Sequence, residues 1–179
     1  MASTPRRNSG KACDIIYLQP IQDTHAQVYL EAIWLIQERT QSHARVSAIA
    51  EKLGVADPSV VEMLKRLRRK GLIQYRNREG AKLLPKGRRI GKAMARNGRL
   101  LEVLMRDKLE IPVDPRTVNG IEHHLTERFA DALCTMLNNP KKCPHSNLIP
   151  QGKCCKAVSA LEKTGNWDKV DKFRKSALG

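Results

Sequence analysis

Residues 46–71 read VSAIAEKLGVADPSVVEMLKRLRRKG, and this stretch decides the fold. Ile49, Ala50 and Leu53 give a first short helix an apolar face. Gly54 can take the left-handed backbone that ends such a helix. Asp57 is a good N-cap residue, and Pro58 suits the first helical position because it has no N–H to leave unbonded. Val60, Val61, Leu64 and Leu67 then form one apolar stripe, which Gly71 ends. Off that stripe lie Pro58, Ser59, Glu62, Met63, Lys65, Arg66, Arg68, Arg69 and Lys70. Two helices that share a core and leave the second one's start exposed describe a helix-turn-helix reader of duplex DNA. The plainer reading is a pair of bundle helices with a solvated basic face.

Charge segregation favours the reader. The net charge is +15 over 179 residues. Residues 62–106 hold 15 basic and 3 acidic side chains, a net +12, whereas residues 107–140 hold 3 basic and 6 acidic, a net −3. A uniformly basic protein would explain the total but not the split. The split fits a polyanion-binding module followed by one with another task. Aromatic residues make up 4% of the chain, too few for base stacking to dominate, so double-stranded DNA fits better than single-stranded RNA.

Outward from the reader, residues 72–84 (LIQYRNREGAKLL) place two short apolar-rich segments around a polar tip. A basic-tipped hairpin directly after a recognition helix makes a wing, which would bring Arg76, Arg78 and Lys82 near phosphates. Upstream, residues 25–37 form an amphipathic helix, with Val28, Ala32, Leu35 and Ile36 on one face and Tyr29 and Ile33 beside it. Residues 1–23 have the composition of a flexible basic arm. Downstream, Pro85 opens a long helix to about Lys108, with Ile90, Met94, Leu100, Leu101, Val103 and Leu104 as apolar positions. Asp114 and Pro115 start a further helix. Thr126 can cap the next, whose apolar side is Phe129, Ala130, Leu133 and Leu137. The expected fold is mainly α: a winged helix-turn-helix domain over residues 24–92, a helical domain over 93–140, and a cysteine-containing linker and tail over 141–179.

No apolar run is long enough to span a membrane, and the first residues lack the apolar core of a signal peptide. With an odd number of cysteines, five, this predicts a reducing cytoplasm. Neither a nucleophile–base pair nor a phosphate loop is evident, so no enzyme is expected.

The order helix, helix-turn-helix, wing, long helix, then Gly120-Ile121-Glu122-His123-His124-Leu125 resembles the DtxR/MntR family of metal-dependent transcriptional regulators. The segment CPHSNLIP resembles the linker that often follows that family's dimerisation helices. The resemblance runs from about residue 25 to 150 and implies a two-fold dimer on palindromic operators, with ferrous or manganous ions favouring DNA binding. It also implies that residues 93–140 dimerise and bind metal. Carried over position by position, Glu31, Glu102, Glu122 and His123 match metal ligands of the family. Three other ligand positions hold Val28, Gly98 and Asn119 instead.

Cys134, Cys143, Cys154 and Cys155 all fall in the last third. They are candidates for an iron–sulfur cluster or a reactive thiol sensor in place of the lost ligands. A second functional class is a non-sensing architectural or partner-binding protein on the same fold. It would bind DNA with an affinity indifferent to metal, chelator or oxidant.

Overall fold

The computed structural model describes residues 23–165 and 167–176; the predicted arm, with Cys13, falls almost wholly outside them. The element order is α1 Thr24–Thr40, α2 Val46–Leu53, α3 Asp57–Arg69, β1 Ile73–Arg76, β2 Gly80–Leu83, α4 Pro85–Asp107, α5 Pro115–Glu122, α6 Glu127–Met136, α7 Lys153–Lys163 and α8 Trp167–Ser176. Local chemistry sets the boundaries. Asp23 caps α1 by accepting from the Ala26 N–H at 3.1 Å. Gly54 ends α2 with φ of 65°. Asp114 and Thr126 cap α5 and α6 through their side chains. Asp57 behaves differently from expectation. Ala56 is the N-cap and makes no side-chain bond, so Asp57 sits inside the first turn and contributes negative charge to the helix start instead.

The first core is built from Leu30 and Ile33 of α1, Ile49 of α2, Val60, Leu64 and Leu67 of α3, and Ile73, Tyr75 and Leu83 of the hairpin. β1 and β2 pair antiparallel, with Ile73 opposite Leu83 and Arg76 opposite Gly80. Ala44 adds a single bridge to Ala81 on the hairpin's other edge. On α1 the buried face is Tyr29, Leu30 and Ile33. Val28 and Leu35, expected on the core side, are half-buried and line a cleft instead.

A second core joins Leu100, Leu101 and Val103 of α4 to Val118 of α5, Leu133 and Cys134 of α6, the linker's Cys143 and Ile149, and Cys154 of α7. α4 therefore belongs to both cores. Its 23 residues span about 34 Å at 1.5 Å per residue. Its first half lies along α1 at a separation that only glycine allows: a Cβ on Gly91 would strike the Leu30 carbonyl oxygen.

Candidate nucleic-acid interface and metal centres

Glu62, Lys65, Arg68 and Arg69 of α3 line one groove together with Tyr75 and Asn77 of the wing. A neighbouring hollow on the same face adds Asp57, Pro58 and Val61. The predicted positions Pro58, Ser59, Glu62, Lys65, Arg66 and Arg69 are all solvent-exposed, as are Arg76, Arg78 and Lys82 of the wing. Arg68, passed over among the expected contacts, lines the groove too. Two expectations change. Met63 is half-buried and packs on the first core. Arg66 donates to Asp23 at 2.9 Å, and Lys70 reaches the same oxygen at 2.6 Å. These bonds, led by that from Lys70, hold the Asp23 carboxyl below the usual range. Arg76 is bridged to Glu79 across the wing tip at 3.0 Å.

The expected oxygen and nitrogen ligands divide into two groups. Glu31 on α1 and Glu122 at the end of α5 are in contact. Burial, then the charge and hydrogen bond of Glu31, then the charge of Glu102 push Glu122 up to about 9. Burial also raises Glu31. The pair therefore retains a proton at neutral pH. Asn97 of α4 fixes the end of α5 by donating to the Glu122 carbonyl at 3.0 Å. Gly98 leaves the volume that the Glu122 carboxyl occupies, since a Cβ there would collide with Glu122 Oε2. His123 Nε2 lies 3.6 Å from Glu122 Oε1, and its Nδ1 lies 3.1 Å from Gln27 Oε1. Burial lowers the His123 pKa, keeping the ring neutral and able to ligate.

Glu102 turns to different partners. His145 Nδ1 lies 3.2 Å from Glu102 Oε2, and Cys143 completes a group whose donor atoms all lie within 4.8 Å of one another. Burial, then Glu102, raise the Cys143 pKa. His145, two residues beyond Cys143, was the available signal for this group.

The predicted set of four thiols is likewise divided. Cys134, Cys154 and Cys155 come together, while Cys143 belongs with Glu102 and His145. Arg99, which sequence reading missed, is buried where α1, α4 and the linker meet. It pairs with both oxygens of Glu38, donates to the Leu148 carbonyl, and lies 5.2 Å from the Trp34 ring centre. No helix among the described residues is long and apolar enough to cross a membrane.

This arrangement has known counterparts. Residues 23–81 match the family model described as iron dependent repressor, N-terminal DNA binding domain. Residues 84–151 match iron dependent repressor, metal binding and dimerisation domain. An HTH-type transcriptional regulator MntR of Lysinibacillus sphaericus is 38% identical over 120 residues, covering 63% of this chain and 84% of its own. The corresponding regulator of Listeria monocytogenes is 36% identical over 120 residues, covering 63% of this chain and 82% of its own. Among solved structures, the manganese regulator SloR has a TM-score of 0.62 and 32% identity over 71% of this chain. A manganese-dependent transcriptional repressor in complex with manganese has a TM-score of 0.64 and 30% identity over 72% of this chain. The chain spans 60% of the length of each of these two structures. From its first described helix through the CPHSNLIP segment, the chain belongs to the iron-dependent repressor family, the DtxR/MntR regulators.

Proposed function

We propose that this chain is a dimeric, cytoplasmic, metal-responsive DNA-binding regulator that acts as a repressor on palindromic operators and is not an enzyme. The observation that carries this reading is the Glu31–Glu122 pair. It joins α1, which belongs to the reading head's core, to α5, which belongs to the second core. Apart, the two carboxyls would be solvated; together and buried, they require a proton or a cation between them. Fe2+ or Mn2+ bound there, with His123 as the nitrogen donor, would supply the positive charge that allows both carboxylates to ionise. Glu102, Cys143 and His145 offer a second set of mixed oxygen, sulfur and nitrogen donors, which favours Fe2+ over Mn2+ because of its thiolate. An ion there would tie α4 to the linker.

Such an ion raises DNA affinity only by binding one arrangement of the reading heads better than the others. The groove between α3 and the wing supplies the DNA contacts: Lys65, Arg68 and Arg69 toward phosphates, with Ser59 and Glu62 nearer the base edges. Exposed Ile121, Phe129 and Met136 on α5 and α6 fit the two-fold contact.

The test is fluorescence anisotropy on a duplex selected from a random pool, without oxygen, with Mn2+, Fe2+ or chelator. Affinity should fall on chelation, and Glu31→Gln and Glu122→Gln should remove the difference. An affinity unchanged by metal, chelator and oxidant would establish the non-sensing architectural reading instead.

A further inference from the structure

Three thiols lie outside both acidic groups. Cys134 stands on α6, and Cys154 and Cys155 occupy the first turn of α7. Cys134 Sγ is 3.5 Å from Cys155 Sγ, and Cys154 Sγ is 3.7 Å from Cys155 Sγ. All three sulfurs lie within 4.8 Å of one another. Two thiolates on one tetrahedral ion at ~2.3 Å stand roughly 3.7 Å apart, so the trio already has the spacing of a shared ion. In a [4Fe–4S] cluster each thiolate binds a different iron, which sets its ligands farther apart than these sulfurs, and a [2Fe–2S] cluster calls for two such pairs. Cys143, the remaining thiol of the expected set, groups instead with Glu102 and His145.

The surroundings favour an ionised sulfur at Cys155, while hydrogen bonding within the trio and burial raise the Cys134 and Cys154 thiols. Arg96 of α4, 6% exposed, donates to Cys154 Sγ at 3.2 Å and pairs with Asp131 at 2.7 Å. Asn139 donates to Cys134 Sγ at 3.6 Å and to Cys155 Sγ at 4.0 Å, while its buried Oδ1 has no partner. The backbone of Gly152, at the start of α7, hydrogen-bonds to Cys155. Gly152 makes this approach possible, because a Cβ there would strike the Arg96 guanidinium and the Asp131 carboxylate. Hydrogen bonds from Cys134, then Cys154, hold Cys155 far below the usual thiol range.

We propose that Cys134, Cys154 and Cys155 form a site for one thiophilic d10 cation of the Zn2+ class, which clamps α7 onto α6. On binding, Cys134 and Cys154 release their protons to solvent, Cys155 being ionised already, as three sulfur–metal bonds form. Three thiolates and a divalent ion leave one negative charge, and the Arg96 guanidinium, shared with Asp131, lies against it. Cys155 is only half-buried, so the ion has a route in from solvent. Mn2+, which prefers oxygen donors, is a poor occupant. The site is thus separate from the carboxylate pair, and its test does not depend on DNA binding.

Reduced full-length protein, kept without oxygen, is titrated with Cd2+ as a spectroscopic probe of thiolate coordination. The expected result is a sulfur-to-cadmium charge-transfer band that saturates at one ion per protomer in the Cys143→Ser variant, resists excess Mn2+ and is displaced by Zn2+. Cys134→Ser and Cys155→Ala should each lose most of the band. Asn139→Ala should weaken binding about tenfold, the usual cost of removing a hydrogen bond to a ligand. Circular dichroism checks that each variant remains helical. Should Cys134→Ser fail to fold, Cys155→Ala, altered at a half-exposed position, decides the matter alone. The proposal is overturned if the band disappears in Cys143→Ser but survives in Cys155→Ala. It is equally overturned if air forms a Cys134–Cys155 disulfide as quickly with one equivalent of Zn2+ as without it.

Discussion

Glu122 illustrates how burial at a single residue controls its proton. Its carboxyl is 3% exposed and touches Glu31. Its folded pKa of about 9 lies far above the 4.5 ordinary for a glutamate carboxyl. Between those values the unfolded chain has released a proton that the folded chain keeps. Metal-free protein therefore loses stability as pH rises through that window, by up to about 1.4 kcal/mol per pH unit. Below about 4.5 the contribution is fully present, since both states are protonated. Glu122→Gln, neutral at every pH, should flatten this dependence. Its melting temperature in chelator should match the parent near pH 5 and exceed it at pH 8.5. The same variant should lose the metal-induced stabilisation of the parent, because the amide is a weaker ligand. If both proteins melt in parallel across this range, the carboxyl pair does not hold a proton.

At the scale of elements, two contacts do most to define the reading head. The first is the close approach of α1 and α4. A side chain at Gly91 meets the Leu30 carbonyl and the Trp34 Cβ, neither of which can retreat without moving a helix. Gly91→Val should cost roughly 1–3 kcal/mol, read as a lower denaturation midpoint with little change in slope. The second is the groove between α3 and the wing. Lys65→Ala and Arg69→Ala should each weaken binding across all DNA sequences and reduce the salt slope by about 1. Arg66→Ala should change the slope less, since its guanidinium is already paired with Asp23. Equal slopes for all three variants would show that the groove is not the phosphate-binding face.

For the whole molecule, assembly sets how far apart two reading heads stand. Phe129 on α6 is 56% exposed and Ile121 on α5 is 42% exposed, large apolar side chains that the protomer covers only in part. Phe129→Glu places a charge where that surface would be desolvated. It should shift the protein toward monomer in light scattering at micromolar concentration and weaken operator binding, while leaving the helical signal intact. An unchanged dimer would place the two-fold contact elsewhere.

The order of elements was legible in residues 46–84 and in the caps that follow, because apolar periodicity, Gly54, Asp114 and Thr126 act over a few residues. The wing and the helix before it followed from the same local rules, whereas the expectation that Glu31, Glu122 and His123 ligate metal came from matching a family pattern. Partner choice did not follow. Glu102 meets His145 across 43 positions, Cys134 meets Cys155 across 21, and Arg99 meets Glu38 across 61. Asp57 lost its capping role to Ala56 by a single residue of register. α1 buried Leu30 rather than Val28 because the glycines of α4 brought that helix close on one side. Sequence alone determined a winged, mainly helical regulator of the metal-dependent type, because periodicity and capping are local. Only the tertiary structure decided which carboxyls touch and which cysteines come together, because those pairings depend on how the helices pack.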